Sequence, residues 1–190
     1  CLKLDHIPES LVVIGGGVLG LELGSVYRRL GSKVAVLELE GRILAQMDGE
    51  LAELAAAQLV AEGMDLRTGA KVTRVDTTTN GAAVHAEIGG KDTVFEAEKV
   101  LVCVGRSPNL EGLGLDKAGI AVEGGFIKVD KRLETSVPGV FAVGDCSGRL
   151  MLAHAAMAMG EAAAENAMGG EAGFNEDMSP ACAYVGPEIA

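Results

Sequence analysis

Apolar positions along this chain change their period several times, and each change marks a different kind of element. Leu11-Val12-Val13-Ile14 is an unbroken apolar run, the pattern of a strand buried on both faces. Gly15, Gly17 and Gly20 follow at G-x-G-x-x-G spacing, and Leu21 to Leu30 continue as a helix until Gly31-Ser32 breaks it. Val34, Val36 and Leu37 form a second strand that ends at Glu38. From about Asp48 to Glu62, Leu51, Leu54, Ala55, Gln58 and Leu59 run at helical spacing. Asp48 and Glu50 favour the N-terminal end of this helix and Gly63 stops it. Met64 to Arg67 is expected to be a third parallel strand.

The period then shortens to two. Lys71 to Thr77 alternates, Asn80-Gly81 is a hairpin signal, Ala83 to Ile88 alternates again, Gly89-Gly90 turns, and Thr93 to Glu96 returns. That is an antiparallel three-stranded meander. Lys99 to Val104 is almost wholly apolar and is expected to rejoin the buried parallel sheet, ending in Gly105-Arg106-Ser107-Pro108-Asn109 at its carboxyl edge. Residues 110–135 are loop-rich, with an extended piece at Phe126 to Val129. Gly139 to Val143 reads as a buried strand closing on Gly144-Asp145. Residues 150–168 form an alanine-rich helix that ends at Gly169-Gly170, and Ala181 to Val185 is strand-like. Residues 1–10 are a lead-in in which Pro8 keeps its predecessor extended. The expected fold class is α/β, a Rossmann-like parallel sheet with an added meander.

Strand, glycine turn, helix, strand and acid make up the full setting of a dinucleotide fingerprint. Gly15 permits the tight turn, Gly17 lets a pyrophosphate approach the backbone, and Gly20 lets the helix pack closely on the sheet. The helix N-terminus offers free N–H groups and a positive dipole end to phosphates. Glu38 stands 18 residues past Gly20, where its carboxylate can accept from an adenosine ribose and repel a 2′-phosphate. This favours NAD over NADP, with Arg42 nearby as the one counter-indication.

Composition narrows the function classes. The net charge of −11 argues against nucleic acid and anionic membranes as partners. No apolar run reaches the ~18 residues of a membrane span, and no signal peptide is seen. At 190 residues the chain is one domain or one and a half. It begins at Cys1 and ends at Ala190 without a closing element, so both ends read as cuts. Cys1, Cys103, Cys146 and Cys182 form no paired motif; Cys103 reads as a small core residue mid-strand, Cys146 as inert, and a reducing cytoplasm fits best. His6, His85 and His154 are scattered, and no metal-ligand spacing appears. Met151, Met157, Met159 and Met168 read as flexible core fillers.

Six motifs, VVIGGGVLGLELG, VLE, LVCVGRSPN, TSVPGVFAVGDC, MLAHAAMAMGE and YVGPEIA, occur in this order. Together they resemble the pyridine nucleotide–disulfide oxidoreductases, and among these the dihydrolipoamide dehydrogenases most. The resemblance implies an NAD-binding domain over residues 1–112. It further implies a central strand-helix segment returning to an FAD domain over 113–170, and the start of an interface domain over 171–190. It implies that Gly15, Gly16, Gly17, Val18, Leu19, Gly20, Leu21 and Glu22 bind NAD with Glu38, and that Val72 and Gly105 contact its adenine and nicotinamide halves. Asp145 would hydrogen-bond a ribityl hydroxyl of FAD, and Met151, Leu152, Ala153 and His154 would lie against the flavin, His154 through its backbone. Arg106 is open between a cofactor phosphate and a loop cap. The parent protein would pass hydride between reduced flavin and NAD, as a homodimer and in a 2-oxoacid dehydrogenase complex.

The first FAD fingerprint, the redox-active cysteine pair and the C-terminal His-Glu pair of that family have no counterpart here. The FAD site is therefore incomplete in this chain, no catalytic residue is assigned, and the segment alone is expected to be inactive. An isolated NAD-binding module without turnover is the alternative. Tyr184 is followed by Val185-Gly186 where the dehydrogenases carry a threonine, which keeps mercuric, glutathione or trypanothione-type reductases and a soluble transhydrogenase open. Apolar surface on the 150–168 helix is expected to be exposed.

Overall fold

Ile14 faces Leu37 on one side and Val102 on the other, and that register aligns the ends of three strands. In the computed structural model, which describes residues 3–190, β1 (Ser10–Ile14) pairs in parallel with β2 (Lys33–Leu37) and β7 (Lys99–Val102). β3 (Asp65–Arg67) adds to β2, giving the order β3-β2-β1-β7. Alternation sends Leu11 and Val13 to one face, where they meet α1 (Val18–Arg29) and α2 (Gly49–Ala61) through Leu21, Ala52, Ala55 and Leu59. Val12 and Ile14 go to the other face. There they meet the antiparallel meander of β4 (Ala70–Thr78), β5 (Gly81–Ile88) and β6 (Lys91–Ala97) at Val84, Ala86 and Ala97. Both faces are covered, which is why β1 is apolar from Leu11 to Ile14. Ala183 and Ile189 form an antiparallel bridge and seal the first core with Val185.

The chain divides into two compact units, one running to Gly105 together with Cys182–Ala190, the other Arg106–Ala181. The second carries the one-turn helix α3 (Leu115–Ala118), the hairpin β8 (Val122–Glu123) and β9 (Phe126–Ile127), a 3₁₀ turn at Gly144–Ser147, and α4 (Ala153–Ala167). Its core is Leu133, Ala155, Met159, Ala162 and Ala163.

Several local expectations are corrected. Gly139 to Val143 is not a strand: Phe141 makes a lone bridge to Glu134, and Phe141 and Val143 pack against the core that α4 supplies while Val140 stays exposed. β7 stops at Val102 and is a sheet edge, so Val104 is 72% exposed. Cys103 therefore lies just past the strand, half-buried, and burial pushes its thiol up. α2 turns Ala52, Ala55 and Leu59 inward and leaves Leu54 exposed, because small residues let it approach the sheet closely. Among the four methionines read as core fillers only Met159 is buried; Met168 is 89% exposed. Cys1 lies outside the described residues. None of the helices formed by the described residues is long and apolar enough to cross a membrane.

A Cβ on Gly20 would lie 2.2 Å from the Gly15 carbonyl oxygen, a backbone atom with no freedom to withdraw. Gly20→Ala is expected to destabilise the first unit by about 1–3 kcal/mol in urea unfolding. A second prediction concerns pH. His6 Nε2 bonds Glu98 Oε1 at 2.6 Å and Nδ1 bonds Asp5 Oδ1 at 2.7 Å, fastening the lead-in to the β6–β7 corner. The bond to Glu98, then that to Asp5, raises the His6 pKa; the bond from His6 lowers those of Glu98 and Asp5. The histidine contribution is full below its ordinary value of 6.5 and fades as pH rises through the raised one. The Glu98 contribution is present above that group's ordinary value of 4.5 and is lost as pH falls through the lowered one. Stability measured against pH should thus peak between these ordinary values, and His6→Gln should flatten the alkaline limb.

Candidate nucleotide-binding site

Because β1, β2 and β7 end in register, the segments that leave them meet at one edge of the sheet. The Gly15 N–H donates to the Leu37 carbonyl at 2.8 Å, closing the turn onto β2. Gly15 has φ +108°, and a Cβ there would lie 2.3 Å from the Cys103 carbonyl oxygen, so the turn needs glycine twice over. Gly17 differs: its φ is −75°, and nothing lies within 4 Å of where its Cβ would stand. That opening faces the N-terminus of α1, which has no side-chain cap and no acidic residue in its first turn. Uncapped amides beside open space are what a phosphate requires.

Glu38 completes this edge. Its Oε2 accepts from the Gly16 N–H, and its Oε1 accepts from the Glu40 N–H at 2.8 Å. Both oxygens keep further lone pairs, and the residue is only half-buried. The Gly16 carbonyl is also taken, by the Leu44 N–H at 2.9 Å. Gly16 therefore serves the turn with both of its backbone groups, while the amides of Gly17, Val18 and Leu19, at the helix start, have no intrahelical acceptor. Leu21 is fully buried in the first core, and Leu19 is exposed. Glu22, one turn further, accepts the Tyr184 N–H at 2.8 Å. Val72 lies on β4, partly buried against the second core, and Gly105 follows β7 at φ +125° with open space around it. Arg42 turns away from this edge onto its own loop, its Nη2 donating to the carbonyls of Ala45 at 2.8 Å and Met47 at 3.0 Å.

In the second unit, Asp145 sits in the 3₁₀ turn with its Oδ2 paired to Arg106 Nη2 at 3.0 Å, and the other oxygen has no partner among the described residues. Neither option read from the sequence for Arg106 anticipated this pairing. Leu152 is the N-cap of α4, whose N-terminus also lacks a side-chain cap, and Met151, Ala153 and His154 are exposed around it. His154 is tethered, its Nε2 bonded to the Pro180 carbonyl at 2.8 Å, and not packed into the helix start. Cys146 donates its thiol to the Val143 carbonyl at 3.2 Å, an arrangement without an activating partner. No group of His, Cys, Asp and Glu among the described residues could hold a metal ion. Two residues that shape the site have no sequence signature: Leu44, buried at φ +50°, and Cys103, whose carbonyl crowds Gly15.

The chain is similar to known proteins along nearly its whole length. A family model described as pyridine nucleotide-disulphide oxidoreductase matches residues 1–160. A dihydrolipoyl dehydrogenase from Thermus scotoductus is 48% identical over 189 residues, covering 98% of this chain and 41% of that protein. The crystal structure of LpdA from Mycobacterium tuberculosis superposes with a TM-score of 0.89 at 30% identity, covering 98% of this chain and 40% of that one. The flavoprotein disulfide reductase RclA from Escherichia coli, in its Cu(II) complex, gives a TM-score of 0.87 at 28% identity over 98% of this chain and 43% of that one. The chain spans about two fifths of the length of the curated relatives it matches. With a family model running through both units and relatives matching from end to end, this chain belongs to the pyridine nucleotide-disulphide oxidoreductase family.

Proposed function

We propose that this chain is the NAD(H)-binding and flavin-facing segment of a dihydrolipoamide dehydrogenase-like oxidoreductase. The observation that carries the reading is the Glu38 carboxylate, held by the amides of Gly16 and Glu40 at the same strand edge as the open space over Gly17. That pairing of a held acceptor with a side-chain-free cradle fits a dinucleotide: a pyrophosphate on the first amides of α1 and a ribose diol on Glu38. A 2′-phosphate would meet a carboxylate that two backbone donors keep from swinging aside, which supports NAD over NADP. Half-exposed Asp145, with one oxygen anchored by Arg106, suits a ribityl hydroxyl of FAD on the other. The uncapped N-terminus of α4 suits negative charge on a flavin ring. When bound, the nicotinamide and flavin supply the hydride chemistry; the residues of this chain bind, orient and bias it electrostatically. On this reading residues 1–112 form the nucleotide domain, 113–170 return to the FAD domain and 171–190 open the interface domain, in a dimeric parent that works in the cytoplasm and joins a 2-oxoacid dehydrogenase complex. A second reading, a nucleotide-binding module without turnover, is favoured by the cysteines: Cys103, Cys146 and Cys182 are all free.

Titration of the purified chain with NADH and NADPH, followed by nicotinamide fluorescence, tests this. Saturable binding that prefers NADH is expected. Glu38→Ala should weaken NADH about tenfold or more, the worth of hydrogen bonds to a charged acceptor, and shrink the preference. Gly17→Ala should melt like the wild type yet lose NADH, because its added methyl fills ligand space and nothing else. Wild-type protein that binds neither coenzyme overturns the reading. Diaphorase activity with added FAD would count against the module without turnover.

A further inference from the structure

The residues after Glu38 form a loop that the glycine turn and α2 hold from both ends. Leu44 donates its N–H to the Gly16 carbonyl at 2.9 Å while standing at φ +50°, a conformation leucine rarely adopts, with its side chain buried. Met47 donates to the Leu44 carbonyl at 2.8 Å, and Asp48 caps α2 through the amides of Glu50 and Leu51. A single side chain spans this loop from within: Arg42, whose Nη2 reaches the carbonyls of Ala45 and Met47. Its Nη1 lies against Gly49, where a Cβ would come within 3.2 Å. An always-charged guanidinium holding two carbonyls closes the polar side of a loop whose Ile43 and Leu44 are buried in the first core.

We propose that Arg42 is a positioning residue for coenzyme selection: it holds the 39–48 loop in the shape that lets Leu44 fix Gly16, and Gly16 in turn fix Glu38. This rests on the nucleotide reading above. The chain of contacts is continuous. Arg42 holds the Ala45 and Met47 carbonyls just after the strained Leu44, Leu44 holds the Gly16 carbonyl, and the Gly16 N–H holds one Glu38 oxygen while Glu40, inside the loop, holds the other. Without the guanidinium the Ala45 and Met47 carbonyls lose their side-chain donor, the loop holds Leu44 less firmly, and Glu38 gains freedom to turn away from a 2′-phosphate. Arg42 thus sharpens discrimination although it is a cation, because its charge is spent on carbonyls of its own loop and the carboxylate is left to face the ribose.

Two measurements test this on the full chain. In the absence of nucleotide, residue-resolved amide exchange at Gly16 and Leu44 should quicken about tenfold in Arg42→Ala and less in Arg42→Lys, which retains one donor group. Unchanged exchange overturns the proposal regardless of any coenzyme result. In titrations, Arg42→Ala should weaken NADH several-fold and lower the NADH-over-NADPH ratio. In a Glu38→Ala background the same change should leave that ratio where it is, because Arg42 acts through Glu38. Equal losses for both coenzymes mark general loosening and overturn the proposal; a loss confined to NADPH makes Arg42 a direct phosphate ligand and also overturns it. Should Arg42→Ala fail to fold, Arg42→Lys alone decides, with the same outcomes on a smaller scale. Wild-type protein that binds neither coenzyme removes the nucleotide reading, and ribose selection by Arg42 with it.

Discussion

At the carboxyl edge of the parallel sheet, backbone segments approach more closely than any side chain permits. The positions a Cβ would take at Gly15 and Gly20 lie 2.3 Å and 2.2 Å from carbonyl oxygens, of Cys103 and of Gly15 itself. The rest of the first unit depends on this approach. It brings the start of α1 over the end of β1, so that the first amides of the helix stand beside the strand ends where Glu38 emerges. It also draws α1 down onto Val13 and Val34, where Gly24 repeats the device against Met64. A glycine helix that would be costly as an isolated peptide is stable here because each missing side chain becomes contact between buried surfaces.

The two cores follow from one alternating strand. β1 sends Leu11 and Val13 to the helices and Val12 and Ile14 to the meander, so a one-residue slip of its pairing would exchange the two sets. Such a slip would also break the alignment of Ile14 with Leu37 and Val102, and the turn, the acid and the Gly105 loop would no longer leave the sheet together. Core packing and site geometry therefore rest on a single register. The C-terminal residues reinforce it from the helix side, where Ala183, Val185 and Ile189 join the first core and the Tyr184 N–H meets Glu22.

What could be read from residues alone was local. Asp48 at the helix start, Gly63 as stop at φ +91°, and turns at Asn80-Gly81 and Gly89-Gly90 are legible because each depends on the chemistry of one or two neighbours. Readings that depended on distant partners went astray. Lys99 to Val104 reads as a strand of the buried parallel sheet, and it joins that sheet, but burial requires a neighbour on each side and β7 has only β1. Gly139 to Val143 had the composition of a strand and no strand to pair with. Arg42, Arg106 and Leu44 were unreadable for a related reason: carbonyls, a carboxylate and a left-handed leucine conformation leave no mark on residue type. The glycine spacing was legible in full, yet it did not say that Gly16 spends both its backbone groups on Glu38 and Leu44.

On the proposed nucleotide reading, an acidic chain of net charge −11 would face an electrostatic difficulty in holding a dianionic pyrophosphate. A lysine or arginine at the turn would be one solution, and the first turn of α1 contains neither; its basic residues, Arg28 and Arg29, stand at the far end. Backbone dipoles are the other. Uncapped amides at a helix start carry roughly half a positive charge in fixed orientation, and at physiological salt the repulsion of distant carboxylates is screened beyond about 8 Å. On that reading the local field would act without a mobile cation that welcomes a 2′-phosphate as readily as a pyrophosphate. Placing Glu38 next to such a site is tolerable only because its charge is shared with two amides. On the proposed reading, the acid that would repel a 2′-phosphate is thereby kept from repelling the pyrophosphate.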